Sequence, residues 1–226
     1  MNKQLIEYLK QFISEARWNR INEVLDKRTE HITVVLEDIY QPHNASAVLR
    51  SCDGFGIQDV HVIENNNVFD ASSEVTIGAD QWLSLNRYNE RDSDNVSDCF
   101  EVLRQKGYQI VATTPHENDH NLDELDISKP TALVFGTELE GVTDQVMDQA
   151  DAFVKIPMSG FSESFNISVS AAICLYDTST RLRRSVPESE WALSENRREE
   201  LLLEWVKKSI KAGDQLAEKW LAENRT

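Results

Sequence analysis

The run Ile32-Thr33-Val34-Val35-Leu36, and its counterpart Thr131-Ala132-Leu133-Val134-Phe135, decide the fold class. Neither alternates apolar with polar residues, as a strand with one wet face would. Continuous apolar runs of this length suit strands of a sheet covered on both faces, the usual setting of parallel strands. Working outward, shorter β-branched runs at Asp59–Glu64, Gln109–Thr113 and Phe153–Ile156 are further strand candidates. Between them, apolar residues recur at helical spacing near Asn44–Phe55, Asn95–Lys106, Thr143–Ala150 and Asn166–Arg181. Such alternation predicts an α/β domain with a mostly parallel sheet flanked by helices.

Both flanks of this core read as helix. Leu5, Leu9, Phe12, Ile13 and Ala16 form one apolar stripe, continued by Ile21, Val24 and Leu25. Beyond Pro187, Leu202, Val206, Ile210, Ala217 and Trp220 form another. The expected plan is an amino-terminal helical extension over 1–30, a core domain over 31–184 and a carboxy-terminal helical extension over 185–226. The terminal helices would pack on the core or on each other, or else contribute a dimer contact or an RNA-contacting flank.

At 226 residues the chain can bury one good core with extensions, but hardly two full domains. It is 40% hydrophobic and 27% charged, and has no apolar run long enough to span a membrane. The start of the chain lacks a signal peptide's apolar stretch, so a cytoplasmic location is expected. Cys52, Cys99 and Cys174 are odd in number and scattered, which suits reduced thiols and suggests neither disulfides nor a zinc site. No Walker motif, metal-ligand cluster or Ser-His-Asp arrangement is present, and His43, His116 and His120 read as ordinary polar residues.

The net charge of −16 opposes nucleic-acid binding, since phosphate contacts depend on Lys and Arg. The basic residues are, however, grouped. Arg17, Arg20, Lys27 and Arg28 gather near the amino terminus, and Arg181, Arg183 and Arg184 follow a helical segment. Acidic residues concentrate between about Asn86 and Asp126. The pattern admits RNA binding at local basic sites, with Arg17, Arg20, Arg181, Arg183 and Arg184 as candidates. A solvated helical face laced with Glu23 and Asp26 is an alternative for the amino-terminal group.

Three polar stretches, the last two containing glycine, each follow a predicted strand, and ligands in open α/β sheets bind at such carboxyl ends. They are Pro42-His43-Asn44-Ala45-Ser46-Ala47-Val48-Leu49-Arg50, then Phe135-Gly136-Thr137-Glu138-Leu139-Glu140-Gly141, then Ile156-Pro157-Met158-Ser159-Gly160 leading to Ser164-Phe165-Asn166-Ile167-Ser168-Val169-Ser170. In this order they resemble the three motifs of the TrmH (SpoU) family of SPOUT-class RNA 2′-O-methyltransferases, over roughly His31 to Arg184.

The resemblance implies a fold, a cofactor and partners. The fold would carry a deep trefoil knot between about Thr131 and Tyr176, an exception to the rule that chains do not thread loops. The cofactor would be S-adenosylmethionine, contacted at Thr113, Gly136, Ile156, Ser164 and Phe165. The chain would act as a homodimer on RNA, most like the tRNA-acting branch that methylates the D-loop guanosine. Another tRNA position, ribosomal RNA, or a non-catalytic RNA-binding role are the alternatives. The lead-in Phe161-Ser162-Glu163-Ser164-Phe165 is more polar than is usual in tRNA-acting relatives. The catalytic set implied is Asn44, Arg50, Glu138, Ser164 and Asn166.

Several of these residues also have plain structural readings. Asn44 stands where a helix N-cap belongs, and Asn166 could cap the helix it precedes. Arg50 could be an exposed helical residue pairing with Ser46 or Asp53. Glu138 could be a solvated loop carboxylate. The segment Asp53-Gly54-Phe55-Gly56 resembles a Rossmann-type cofactor loop but ends a helix instead of opening one, so its glycines read as a helix terminator.

Overall fold

The computed structural model describes residues 2–71, 76–115, 120–137 and 140–224. The chain divides into two compact units, one of Thr29–Trp191 and one joining Met1–Arg28 to Ala192–Thr226.

The larger unit contains a seven-stranded sheet, parallel throughout. Its strands are β1 (Ile32–Glu37), β2 (Asp59–Ile63), β3 (Ser84–Tyr88), β4 (Gln109–Thr113), β5 (His120–Asn121), β6 (Thr131–Phe135) and β7 (Ala152–Lys155), ordered β3-β2-β1-β6-β4-β7-β5. The two runs that decided the fold class are neighbours, with Ile32 opposite Thr131 and Leu36 opposite Phe135. Every residue of β1 and β6 is buried.

Period-two geometry explains why both faces are apolar. Ile32, Val34 and Leu36 join the core on one face, packed by the helix at Pro42–Phe55 (α1) and the helix at Ile167–Ser185 (α4). Val35 joins the core on the other face, packed by helices at Asn95–Gln105 (α2) and Asp144–Gln149 (α3). Each fully buried Val, Leu or Ile contributes on the order of 1.5–3 kcal/mol, so a charged residue anywhere in these strands needs a specific partner. A short helix at Glu188–Trp191 (α5) closes the unit, with Thr29 Oγ1 donating to the Trp191 carbonyl at 2.6 Å.

Two strands were not anticipated. β3 pairs with β2 at one edge, and its residues Ser84-Leu85-Asn86-Arg87-Tyr88 are only partly buried. β5 is two residues long. Helix α1 also starts earlier than expected. Its first residue is Pro42 and its N-cap is Gln41, without a side-chain cap bond, so Asn44 is not the N-cap. Proline suits the first helical position, where its missing N–H costs no helical bond. The helix ends at Gly56, whose φ of 80° is left-handed, so of the two glycines read as a terminator Gly56 is the one that ends the helix, while Gly54 lies within it.

The smaller unit is helical: Asn2–Lys10 (α6), Glu15–Leu25 (α7), Glu195–Lys208 (α8) and Gly213–Glu223 (α9). The single amino-terminal helix of the sequence reading is two, because Ser14 caps the second by accepting from the Arg17 N–H at 3.2 Å. Leu5, Leu9, Ile21, Leu25, Leu201, Trp205 and Val206 are buried in this unit, and the Arg28 guanidinium lies 5.2 Å from the Trp205 ring.

Candidate functional site

Strand order brings the motif-bearing ends together. β1, β6, β4 and β7 are consecutive in the sheet and parallel, so all their carboxyl ends fall on one edge. Thr113 ends β4 opposite Val154 of β7, and its hydroxyl donates to the Val134 carbonyl of β6 at 2.9 Å. Gly136 follows β6 directly, and Ile156 follows β7. Three of the expected cofactor contacts therefore lie side by side.

Gly136 is required by its surroundings. A Cβ built there would stand 2.1 Å from the Gly141 carbonyl group and 2.2 Å from the Val142 nitrogen. The loop folds back on itself at this point: Thr137 N–H donates to the Gly141 carbonyl at 2.8 Å, and Gly141 N–H returns a bond at 3.1 Å. Gly141 has φ 74°, which glycine adopts without strain. Glu138 lies outside the described residues.

Motifs one and three meet through their amides. Asn166 Nδ2 donates to Asn44 Oδ1 at 3.1 Å, and Asn44 Nδ2 donates to Gln41 Oε1 at 3.2 Å. Asn44 is buried, although amide side chains are usually wet. Asn166 also caps α4: its Oδ1 accepts from Ser168 N at 2.9 Å and Ser168 Oγ at 2.6 Å. The cap read from sequence is therefore present, and the same side chain reaches motif one. Ala45 and Ala171 are small and fully buried between α1 and α4, and Phe55 meets Tyr176 edge to face. Arg50 is an exposed residue of α1. Ser164 and Phe165 are exposed in the loop before α4, and Phe161 in the same loop is wholly exposed.

The sequence reading missed two acidic residues at the end of β1. Glu37 is completely buried, and both carboxylate oxygens accept from Thr143, one from the backbone N–H at 2.9 Å and one from the hydroxyl at 2.6 Å. Burial holds its pKa above the usual carboxylate range, with the negative charge of Asp38 adding a smaller push in the same direction. Asp38 adopts a left-handed φ of 51°, and its carboxylate accepts from Asn65, Asn66 and Asn67 N–H groups at 2.7, 2.8 and 3.2 Å. These bonds pin the loop after β2 to the start of motif one. The available signal was a Glu-Asp pair closing an apolar run, where a charge must find a partner.

The basic candidates divide by what they already touch. Arg181 donates to Asp177 at 2.8 Å and to the carbonyls of Leu125 and Leu122 at 2.8 and 2.9 Å, so it holds the turn after β5. Arg183 lies 4.8 Å over the Trp191 ring and donates to the Phe55 carbonyl; burial lowers its pKa. Arg184 and Arg17 are exposed, and Arg20 is in a surface pair with Glu23 at 2.9 Å. A solvent-exposed pair of this kind contributes little to stability. Among the described residues, no group of three or more His, Cys, Asp or Glu side chains is placed to hold a metal ion. No described helix is long and apolar enough to cross a membrane.

Chemically, the edge offers backbone donors and acceptors at three adjacent strand ends, a glycine with no space for a side chain and an interlocked amide pair, while α1 carries the exposed Arg50. That combination can orient a nucleoside-like ligand against a second, anionic one. Residues 31–176 match the model of the SpoU rRNA Methylase family. A tRNA (guanosine(18)-2′-O)-methyltransferase from Borreliella burgdorferi is 41% identical over 206 residues, 91% of each chain. A Thermus thermophilus protein of the same name is 33% identical over 86% of this chain and 98% of its own. Among solved structures, the TrmH/SpoU tRNA modifying enzyme of A. aeolicus superposes with a TM-score of 0.77 at 30% identity, covering 87% of this chain and 98% of that one.

Proposed function

The chain belongs to the SpoU rRNA methylase family, and from that premise we propose that it transfers a methyl group to the ribose 2′-hydroxyl of a guanosine in the D-loop of tRNA. The relatives it matches over most of their length are named for guanosine 18 of tRNA. The observation that carries the reading is the Asn166–Asn44 bond. It fixes motif three to motif one beside the strand ends that bear motif two.

The methyl donor is S-adenosylmethionine, and the residues fit it. Thr113, Gly136 and Ile156 bring three strand ends into line, and the closure of Gly136 on Gly141 leaves no side chain at the turn itself. Ser164 and Phe165 lie on the loop leading to α4 and complete the cofactor set. Bound there, the donor would supply a methyl group already activated on a sulfonium, so the protein has only to align the hydroxyl and stabilise its oxygen while the proton passes to solvent. A guanidinium offers donors and no acceptor, so Arg50 is not the base. It therefore serves as a clamp on a neighbouring phosphate and on the oxyanion as it develops. Asn44 and Asn166 hold α1 and α4 in register beneath it, and Glu138 orders the loop after β6.

RNA contacts fall to Arg17 and Arg20 in the smaller unit and to Arg184 in the larger, three exposed members of the basic groups. Arg181 and Arg183 act indirectly, by holding the turn and helix end to which Arg184 belongs. The chain from about Thr131 to Tyr176 forms a trefoil knot, and the protein acts as a homodimer in the cytoplasm. Support for the knot is the path of the 156–166 segment, which leaves β7 and delivers α4 against α1, the helix that follows β1 three positions away in the sheet. The domain plan of 1–30, 31–184 and 185–226 places the catalytic residues in the central segment.

The test is methyl transfer from labelled S-adenosylmethionine to bulk tRNA and rRNA, with wild type and Arg50→Ala, followed by nucleoside analysis. A 2′-O-methylguanosine formed in tRNA by wild type and not by the variant supports reaction and residue together. Label in rRNA alone, or in neither RNA, refutes the tRNA assignment.

A further inference from the structure

Glu37 is a buried charge that the reaction as described does not use. It ends β1, the strand that leads into motif one, and reaches across the sheet edge to Thr143, the residue that caps α3 after the motif-two loop. Both of its oxygens are taken by one residue, the N–H at 2.9 Å and the hydroxyl at 2.6 Å. The same hydroxyl also accepts from Val146 N–H at 3.4 Å as the helix cap. The loop of residues 137–141 is thus fixed at its base by the Thr137–Gly141 pair and just beyond its exit by the Glu37 clamp. Motif two also carries Glu138, a member of the proposed catalytic set.

A fold needing only stability would not place a carboxylate here. Burial outweighs the two hydrogen bonds in their effect on the acid's ionisation, so the ionised group is held at a cost. Glutamine could not replace it without loss. Its oxygen can keep the Thr143 N–H, but the hydroxyl must then turn from donor to acceptor, so the short carboxylate–hydroxyl bond is replaced by a weaker neutral one.

We propose that Glu37 is a positioning residue for methyl transfer: by clamping Thr143 it sets the placement of the motif-two loop relative to motif one. This rests on the methyltransferase reading above. It assigns to the end of β1 a role in aligning the reactants, with no contact to either.

The test uses the full chain carrying Glu37→Gln, Thr143→Val and Thr143→Ser, with kcat, KM for each substrate, tRNA affinity and Tm measured in parallel. Misplacing a catalytic loop by about 1 Å costs on the order of 100-fold in rate. Glu37→Gln is expected to lower kcat/KM for S-adenosylmethionine by ~10–100-fold, with tRNA affinity unchanged and Tm at or above wild type. Thr143→Val should behave similarly and add little in the double variant, while Thr143→Ser, which keeps both donors, should rescue activity. Activity of Glu37→Gln within threefold of wild type overturns the proposal. So does a loss that tracks the unfolded fraction alone, with full turnover per folded molecule. If wild type itself methylates no RNA, it is the functional reading that fails instead.

Discussion

Replacing Gly136 by alanine tests how closely the loop after β6 must fold. The added Cβ would lie 2.1 Å from Gly141 backbone atoms, well over 1 Å inside ordinary contact. Those atoms are backbone, so no side chain can swing aside, and the loop has to open. Opening it strains or breaks the two reciprocal Thr137–Gly141 bonds at 2.8 and 3.1 Å. Each is worth a net ~0.5–1.5 kcal/mol, and overpacking adds ~1–3 kcal/mol, so the local cost is about 2–6 kcal/mol. A domain with a total stability of about 5–15 kcal/mol is weakened by this but stays folded if the loop gives way locally. The displacement falls on the expected cofactor ground, and kcat/KM should drop on the order of 100-fold. The assay is methyl transfer with calorimetric titration of S-adenosylmethionine, alongside a thermal melt. Gly54→Ala is the control: its Cβ would meet nothing within 4 Å, and it lies in a helix, where alanine adds ~0.5–1 kcal/mol. If Gly136→Ala binds cofactor and turns over within threefold of wild type, the close approach has no functional weight and the reasoning is wrong.

Arg50→Lys keeps the charge but loses the planar fork, and should reduce kcat at least tenfold in the methyl-transfer assay; near-normal turnover would refute the clamp. Arg184→Ala should weaken tRNA binding uniformly and lower the slope of log K against log salt by about 1. Arg181→Met should instead lower Tm and leave that slope unchanged. His61 is buried against Tyr88, and burial lowers its pKa from 6.5 to about 4. A base with a depressed folded pKa gives stability that is complete above 6.5 and is lost as pH falls towards 4, up to roughly 3 kcal/mol. Melts over pH 4–7 should show this fall, and His61→Gln should flatten it.

What the sequence disclosed follows burial. β4 and β6 were legible to the residue, and β1, β2 and β7 to within a residue at either end, because central strands bury both faces and leave an unbroken apolar run. β3 was not, since an edge strand may carry Ser84, Asn86 and Arg87 and still pair along its whole length. The start of α1 was misjudged because Asn44 drew the cap assignment, although Pro42 carried the stronger signal. The three motifs that carry the candidate site residues were legible, but the contacts between them were not. The Asn44–Asn166 bond joins residues 122 apart in sequence, and the Glu37–Thr143 clamp residues 106 apart. Arg181 looked like a phosphate ligand because sequence shows a guanidinium's charge but not the carbonyls it already holds.

The place of β6 between β1 and β4 has a consequence for how the chain is made. Ile32 pairs with Thr131, so β1 leaves the ribosome about a hundred residues before its partner exists. At roughly 5–20 residues per second, Ile32-Thr33-Val34-Val35-Leu36 waits on the order of 5–20 s with one edge open. An apolar, β-branched edge of that kind invites pairing with other chains. Synthesis rate and chaperone supply, rather than the stability of the finished sheet, will set how much of this protein reaches its folded state.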